Sequence, residues 1–124
     1  MKGRTSMDRP FAERFATRWI EAWNARDLDE VLSHYTDDFE MSSPMIEQLL
    51  GVSSGALKGK GVIAAYWRKA LSALPELKFE LVSVLTSPLS VTLLYKGTRG
   101  RLVAEVFRFD AQGKVCSAVA HYSA

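Results

Sequence analysis

The hydrophobic pattern of the chain changes rhythm near residue 75. Before it, Phe11, Phe15, Trp19 and Trp23 recur every four residues, with Ala12, Ala16, Ile20 and Ala22 beside them and Arg14, Arg18 and Glu21 on other faces. This is the period of an amphipathic helix of about four turns. Pro10 suits its first turn, Asp8 can cap it, and it should end near Asn24-Ala25-Arg26. Asp27, with Glu30 three positions later, is a capping-box variant that opens a second short helix with Leu28, Val31, Leu32 and Tyr35 as its buried stripe. Thr36-Asp37-Asp38 reads as a turn, and Phe39-Glu40-Met41-Ser42-Ser43 as a short alternating strand ended by Pro44. Residues 45–50 have room for one or two helical turns, and the glycine-rich segment 51–61 reads as a mobile loop. Helical spacing returns with Ile63, Tyr66, Trp67, Ala70, Leu71 and Leu74, until Pro75 closes a third helix.

After Pro75 the pattern is that of strands. Residues 78–86, 91–96, 101–109 and 114–122 are rich in Val, Leu, Phe and Tyr. Ser87-Pro88, Gly97-Thr98-Arg99-Gly100 and Asp110-Ala111-Gln112-Gly113 separate them. Links this short permit antiparallel neighbours, whereas parallel ones need long crossovers. Helices first and a four-strand meander after them predict an α+β fold with the helices packed on one face of a curled sheet. Residues 1–9 form a lead-in, in which Met7 is an alternative start, and residues 10–124 form one domain.

Composition narrows the class without naming a task. A chain of 124 residues hides about two thirds of its surface on folding, enough for one core without disulfides or metal. Apolar residues make up 48 % and charged ones 24 %, ordinary for a globular chain, and no apolar run reaches the ~18 residues of a membrane helix. The basic opening residues are not followed by the apolar stretch of a secretory signal. The single Cys116 excludes an internal disulfide and a multi-cysteine zinc site, so a reducing, cytoplasmic compartment is the default. A net charge of +2, spread along the chain, is too dilute to argue for nucleic acid. His34 and His121 have no partners at metal spacing, so neither a metal site nor a cofactor is implied. Lys58-Gly59-Lys60-Gly61 lacks the spacing and the hydroxyl residue of a phosphate loop.

Three phrases, WNARDLDEVLSHYTDDFEMSSP, GKGVIAAYW and VAEVFRFDAQGKV, resemble the nuclear transport factor 2-like superfamily in its SnoaL-like, ketosteroid-isomerase-like branch. The likeness spans about residues 10 to 122. It implies a cone-shaped, cystatin-like α+β fold, a curved mixed or antiparallel sheet wrapped around three N-terminal helices, with a deep pocket at the open end. It also implies homodimers packed through the outer face of the sheet. Members range from isomerases and polyketide cyclases to non-catalytic binding domains, so the fold alone names no reaction.

The isomerase mechanism uses a carboxylate base, a phenol and a carboxylic acid kept protonated by an apolar site. At the corresponding positions this chain has Ser43, Trp19 and Glu105. One of the three is kept in kind. A serine without an activator cannot take a proton from carbon, which argues against steroid isomerisation by that route. The positions where the cyclase branch carries His and Asp correspond to Ala118 and Ala120.

Glu105 is therefore the candidate catalytic group. It shares a strand face with Val103 and Phe107, and burial there would raise its proton affinity. The structural alternative is an ion pair with Arg101. Trp19, Trp23, Tyr35, Met41, Ser43, Trp67, Phe107 and Tyr122 are the candidate pocket residues, with Met45 at the rim. Aromatics at helical spacing more often fill a core than line a pocket, which leaves room for one or two of them to face a ligand. Strand alternation lets only one of His121 and Tyr122 face inward, and the resemblance implies that it is Tyr122, with His121 outward at the dimer face. His34, on a helix face, is expected at the surface, and Cys116, in an apolar strand, as an inert buried thiol. The expected partners are a small apolar or aromatic ligand and a second copy of the chain. The alternative is a non-catalytic binding or dimerisation domain on the same fold, or a scaffold with its cavity packed shut.

Overall fold

A computed structural model describes residues 8–123. Most of the local predictions hold because short-range chemistry decides them. Helix α1 runs Arg9–Asn24, with Asp8 accepting a hydrogen bond from the Phe11 amide and Pro10 in the first turn. Residues 1–7 of the expected lead-in lie outside the described residues, and Arg9 is already helical. Helix α2, Leu28–Leu32, starts at Asp27, whose carboxylate accepts from the Glu30 amide. Arg26 links these helices in a left-handed conformation (φ 59°), and its guanidinium donates to the Leu71, Leu74 and Pro75 carbonyls. It thus satisfies carbonyls left over at the end of the last helix.

Strand β1, Tyr35–Ser42, begins earlier than the sequence predicts. Tyr35 leaves the helix stripe to become its first residue, and Thr36, Asp37 and Asp38 are strand rather than turn. The strand pairs with β6, Val115–Tyr122, which runs parallel to it and lies eighty residues away in the chain, beyond the reach of local propensity. Tyr35 is opposite Val115, Glu40, Met41 and Ser42 are opposite Ser117, Ala118 and Val119, and the register shifts between them. Helix α3 is Pro44–Leu50, capped by Ser43, which accepts from the Met45 amide. The glycine-rich segment is not wholly loop, because Ala56–Lys58 form β2 against β1. Gly55 is required before it: φ is 66°, and a Cβ would stand 3.2 Å from the Ser43 carbonyl oxygen. Helix α4 spans Lys60–Ala73.

The meander follows as β3 (Glu80–Ser87), β4 (Ser90–Lys96) and β5 (Leu102–Phe109), with β6 last. The sheet is mixed, in the order β2-β1-β6-β5-β4-β3, antiparallel except at the β1–β6 seam. It does not close into a barrel: β2 and β3 remain its edges. Four α-helices are present among the described residues, one more than the three expected. Helix α1 lies along the inward face, and on the two central strands inward residues alternate: Val91, Leu93 and Tyr95 on β4 and Val103, Glu105, Phe107 and Phe109 on β5. His34, expected at the surface, packs edge-on against Phe15, and burial lowers its pKa. Cys116 is half-buried rather than buried. No described helix is long and apolar enough to cross a membrane.

Candidate functional site

The concave face of the sheet does not fill completely. A cavity of about 690 Å³ lies between the C-terminal half of α1, helix α4, the start of α3 and the inner faces of β4, β5 and β6. Its deep wall is aromatic: Trp19 and Trp23 from α1, Tyr66 and Trp67 from α4, and Tyr95 from β4. The i, i+4 spacing of α1 sets the two indoles in one row, their centroids 6.1 Å apart, and Trp23 meets Trp67 edge-on at 5.1 Å. The exposed end is the turn between β4 and β5, with Thr98, Arg99, Gly100 and Arg101, faced by Gln48 and Ser123.

Glu105 borders the cavity and is 2 % exposed. Its Oε1 accepts a hydrogen bond of 2.7 Å from the Tyr95 hydroxyl, while its Oε2 is buried without a partner. The ion pair with Arg101 does not form. Arg101 instead donates through Nε to the Ser123 carbonyl and lies over the Tyr122 ring at 4.9 Å. No cation within 4 Å of Glu105 is present among the described residues, so burial dominates and pushes its carboxyl up to about 7, with the Tyr95 bond opposing. At neutral pH the group is divided between acid and carboxylate. Burial raises the phenols of Tyr66, Tyr95 and Tyr122, which remain protonated donors.

Of the predicted pocket residues, Trp19, Trp23, Met41, Ser43, Trp67 and Tyr122 border this cavity together with Glu105, and Met45 borders it as well. Tyr35 and Phe107 do not. Tyr35 is buried behind Trp19, accepting a 2.9 Å hydrogen bond from its Nε1, and Phe107 is buried edge-on to Trp19 and Phe15. Both point inward as expected, but the Trp19 indole stands in front of them. Sequence reasoning missed Tyr95 and Tyr66. Tyr95 had a signal, since it shares the inward face with Val91 and Leu93. Leu93 is paired directly with Glu105, so Tyr95 is the diagonal neighbour. His121 points outward, with Nδ1 3.3 Å from the Ala104 carbonyl oxygen.

Ser43 is occupied as the α3 cap and has no histidine beside it in any hydrogen bond among the described residues. Neither does a group of three or more metal-ligating side chains occur among them. The site offers one carboxyl group of raised pKa among neutral hydroxyls and indoles, and two guanidinium groups, Arg99 and Arg101, at its exposed end.

The sequence pattern of the SnoaL-like domain matches residues 16–118. The chain belongs to the SnoaL-like family. A SnoaL-like protein of unknown function from Burkholderia thailandensis E264 is 49 % identical, superposes with a TM-score of 0.92, and the match covers 97 % of this chain and all of that one. More distant relatives show the fold alone. A cystatin-like protein from Methylobium petroleophilum PM1 matches at 18 % identity and TM-score 0.76 over 97 % of this chain and 80 % of that one. A nuclear transport factor 2-like protein from Anabaena variabilis ATCC 29413 matches at 16 % and 0.73 over 93 % and 88 %. No curated protein matches the chain. Within the SnoaL-like cone, Trp19, Ser43 and Glu105, the three positions matched to the isomerase machinery, all border the same cavity.

Proposed function

We propose that this SnoaL-like chain binds a small apolar, oxygenated molecule in the cavity and uses Glu105 as its acid. The observation that carries this reading is the free Oε2 of Glu105. A buried carboxyl oxygen without a partner costs roughly 1–3 kcal/mol, and a ligand oxygen or hydroxyl would satisfy it. Tyr95 donates to Oε1, so a proton held on Oε2 can be given in a hydrogen bond to a ligand carbonyl, or transferred to an oxygen that gains negative charge. Deprotonated, the same atom accepts from a ligand hydroxyl. The volume falls within the ~300–1,000 Å³ of small-molecule sites, and the wall combines indole and phenol rings with polar groups at Glu105 and at the β4–β5 turn.

A reaction of the cyclase, isomerase or dehydratase kind fits one acid of this type. The second reading is binding without turnover, and Ser43 favours it: where the isomerase has its carboxylate base, this residue caps a helix. Glu105→Gln tests the part this carboxyl plays in either reading. Native mass spectrometry of unpurged protein should show a co-purifying molecule lost or weakened in the variant; an unchanged complex would remove Glu105 from the function. The outer face of the sheet carries exposed Leu85, Leu102 and Val119, which we expect a second copy to cover. Sedimentation showing only monomer at micromolar concentration would refute that pairing.

A further inference from the structure

The geometry points to a ligand with a negatively charged head: its apolar body lies among the indoles, its neutral oxygen meets Glu105, and a carboxylate or similar anion meets Arg99 and Arg101 at the mouth. This rests on the cavity being the ligand site.

The two ends of the cavity differ in sign and in wetness. The deep end holds Glu105 and uncharged aromatic and hydroxyl side chains. Arg99 and Arg101, separated by Gly100 in the β4–β5 turn, are the only basic side chains on its wall among the described residues, and Glu105 is the only acidic one. Neither arginine has a carboxylate within 4 Å among the described residues. Two unpaired guanidinium groups on the rim of an apolar hollow attract an anion before it enters and hold it there after its body is buried.

Both arginines are held by features that a random surface charge does not need. Arg101 is fixed over the Tyr122 ring and by its Nε bond to Ser123, which leaves both terminal nitrogens without a hydrogen-bond partner among the described residues. Arg99 has φ 62° and ψ 26°, in the left-handed region where glycine is the default and a side chain costs roughly 1–2 kcal/mol. The next residue is Gly100, at φ 73°. A glycine at 99 would relax this turn; an arginine there presents charge to the cavity mouth instead. Strain of this kind is tolerated where the side chain has work.

Charge also explains why the anion belongs at the mouth. A carboxylate pushed to the deep end would meet Glu105 and the dry aromatic wall, where an unpaired charge is costly. At the mouth it keeps contact with water and gains two charge-assisted donors. A ligand so oriented is amphipathic, with its ionised group at one end and its hydroxyl or carbonyl at the other.

The test compares 6-hydroxy-2-naphthoate with its uncharged carboxamide, 6-hydroxy-2-naphthamide, by calorimetric titration of the full chain at low salt. The naphthoate is expected to bind roughly tenfold tighter, the worth of one charge-assisted contact. In the Arg99→Gln, Arg101→Gln double variant the two probes should bind alike, at the affinity of the carboxamide for the unaltered protein. Because Arg101 also anchors Ser123, Arg99→Gln alone serves as the second variant, and it should lose part of the preference while keeping carboxamide affinity. Equal binding of both probes to the unaltered chain would overturn the anionic head and leave the pocket standing. A preference that survives the double variant would overturn the role of the arginines. Binding of neither probe would overturn the pocket reading and this one with it.

Discussion

Helix α1 lays one row of four aromatic residues along the sheet, and the two halves of that row have opposite outcomes. At the N-terminal half, Phe11 and Phe15 meet Phe107 and Phe109 edge-to-face at 5.0–5.3 Å, and the space is full. At the C-terminal half, Trp19 and Trp23 face Tyr95, Glu105 and the turn after β4, and a cavity stays open. The helix is regular throughout. The difference lies in what the sheet sends up to meet it: two phenyl rings at one end, whereas at the other Tyr95 and Phe107 reach Trp19 but the carboxyl of Glu105 and a bare Gly97 leave space beside them. A uniform pattern on one element thus becomes core or pocket according to its partner.

Truncations should separate the two halves most strongly. Phe15→Ala removes a ring packed on three others and is expected to cost about 3–5 kcal/mol. Chemical denaturation measures it, and a loss below about 1 kcal/mol would mean that the N-terminal half is not solid.

Next in size is the pH dependence that Glu105 imposes. Its folded pKa of about 7 stands above the ordinary 4.5, so the folded chain holds a proton that the unfolded chain releases. Stability from this group is therefore full below about pH 4.5 and is lost as pH rises through 7, by about 3 kcal/mol in all. Glu105→Gln should match the wild type near pH 4 and exceed it by about that amount near pH 9. A difference that does not vary with pH would show that the carboxyl is not buried as described.

Tyr95→Phe strips Oε1 of its donor and is expected to cost roughly 1–3 kcal/mol. It should also raise the Glu105 pKa further, because the Tyr95 bond lowers it. Carbon-13 NMR titration of the Glu105 carboxyl reads this directly; a downward move would contradict the pairing. Met45→Ala, at the half-buried rim, should cost only about 1 kcal/mol and alter ligand retention more than stability. Equal losses for Met45→Ala and Phe15→Ala would erase the contrast between the halves.

Legibility followed range. Asp8, Asp27 and Pro75 announced helix ends because a cap or a missing amide acts within four residues. Tyr35 was misplaced because it pairs with Val115 of β6, and residues 36–38 because they lie in a strand tied to β6 on either side of them, at Tyr35 and at Glu40. The three-residue β2 was hidden among glycines for the same reason. Glu105 stood out as an acid between apolar residues of one face, but its partner Tyr95 depends on register across two strands.

By itself the sequence determined which residues turn inward, because side-chain periods of 3.6 and 2 are properties of the backbone. It thereby determined that one carboxyl group and a row of indoles share an interior. Only the tertiary structure decided that Trp19 stands in front of Tyr35 and Phe107, that Arg101 reaches Tyr122 rather than Glu105, and that the interior stays open. Those outcomes depend on how far each side chain extends once the elements are docked, and volume in three dimensions is not written in any period.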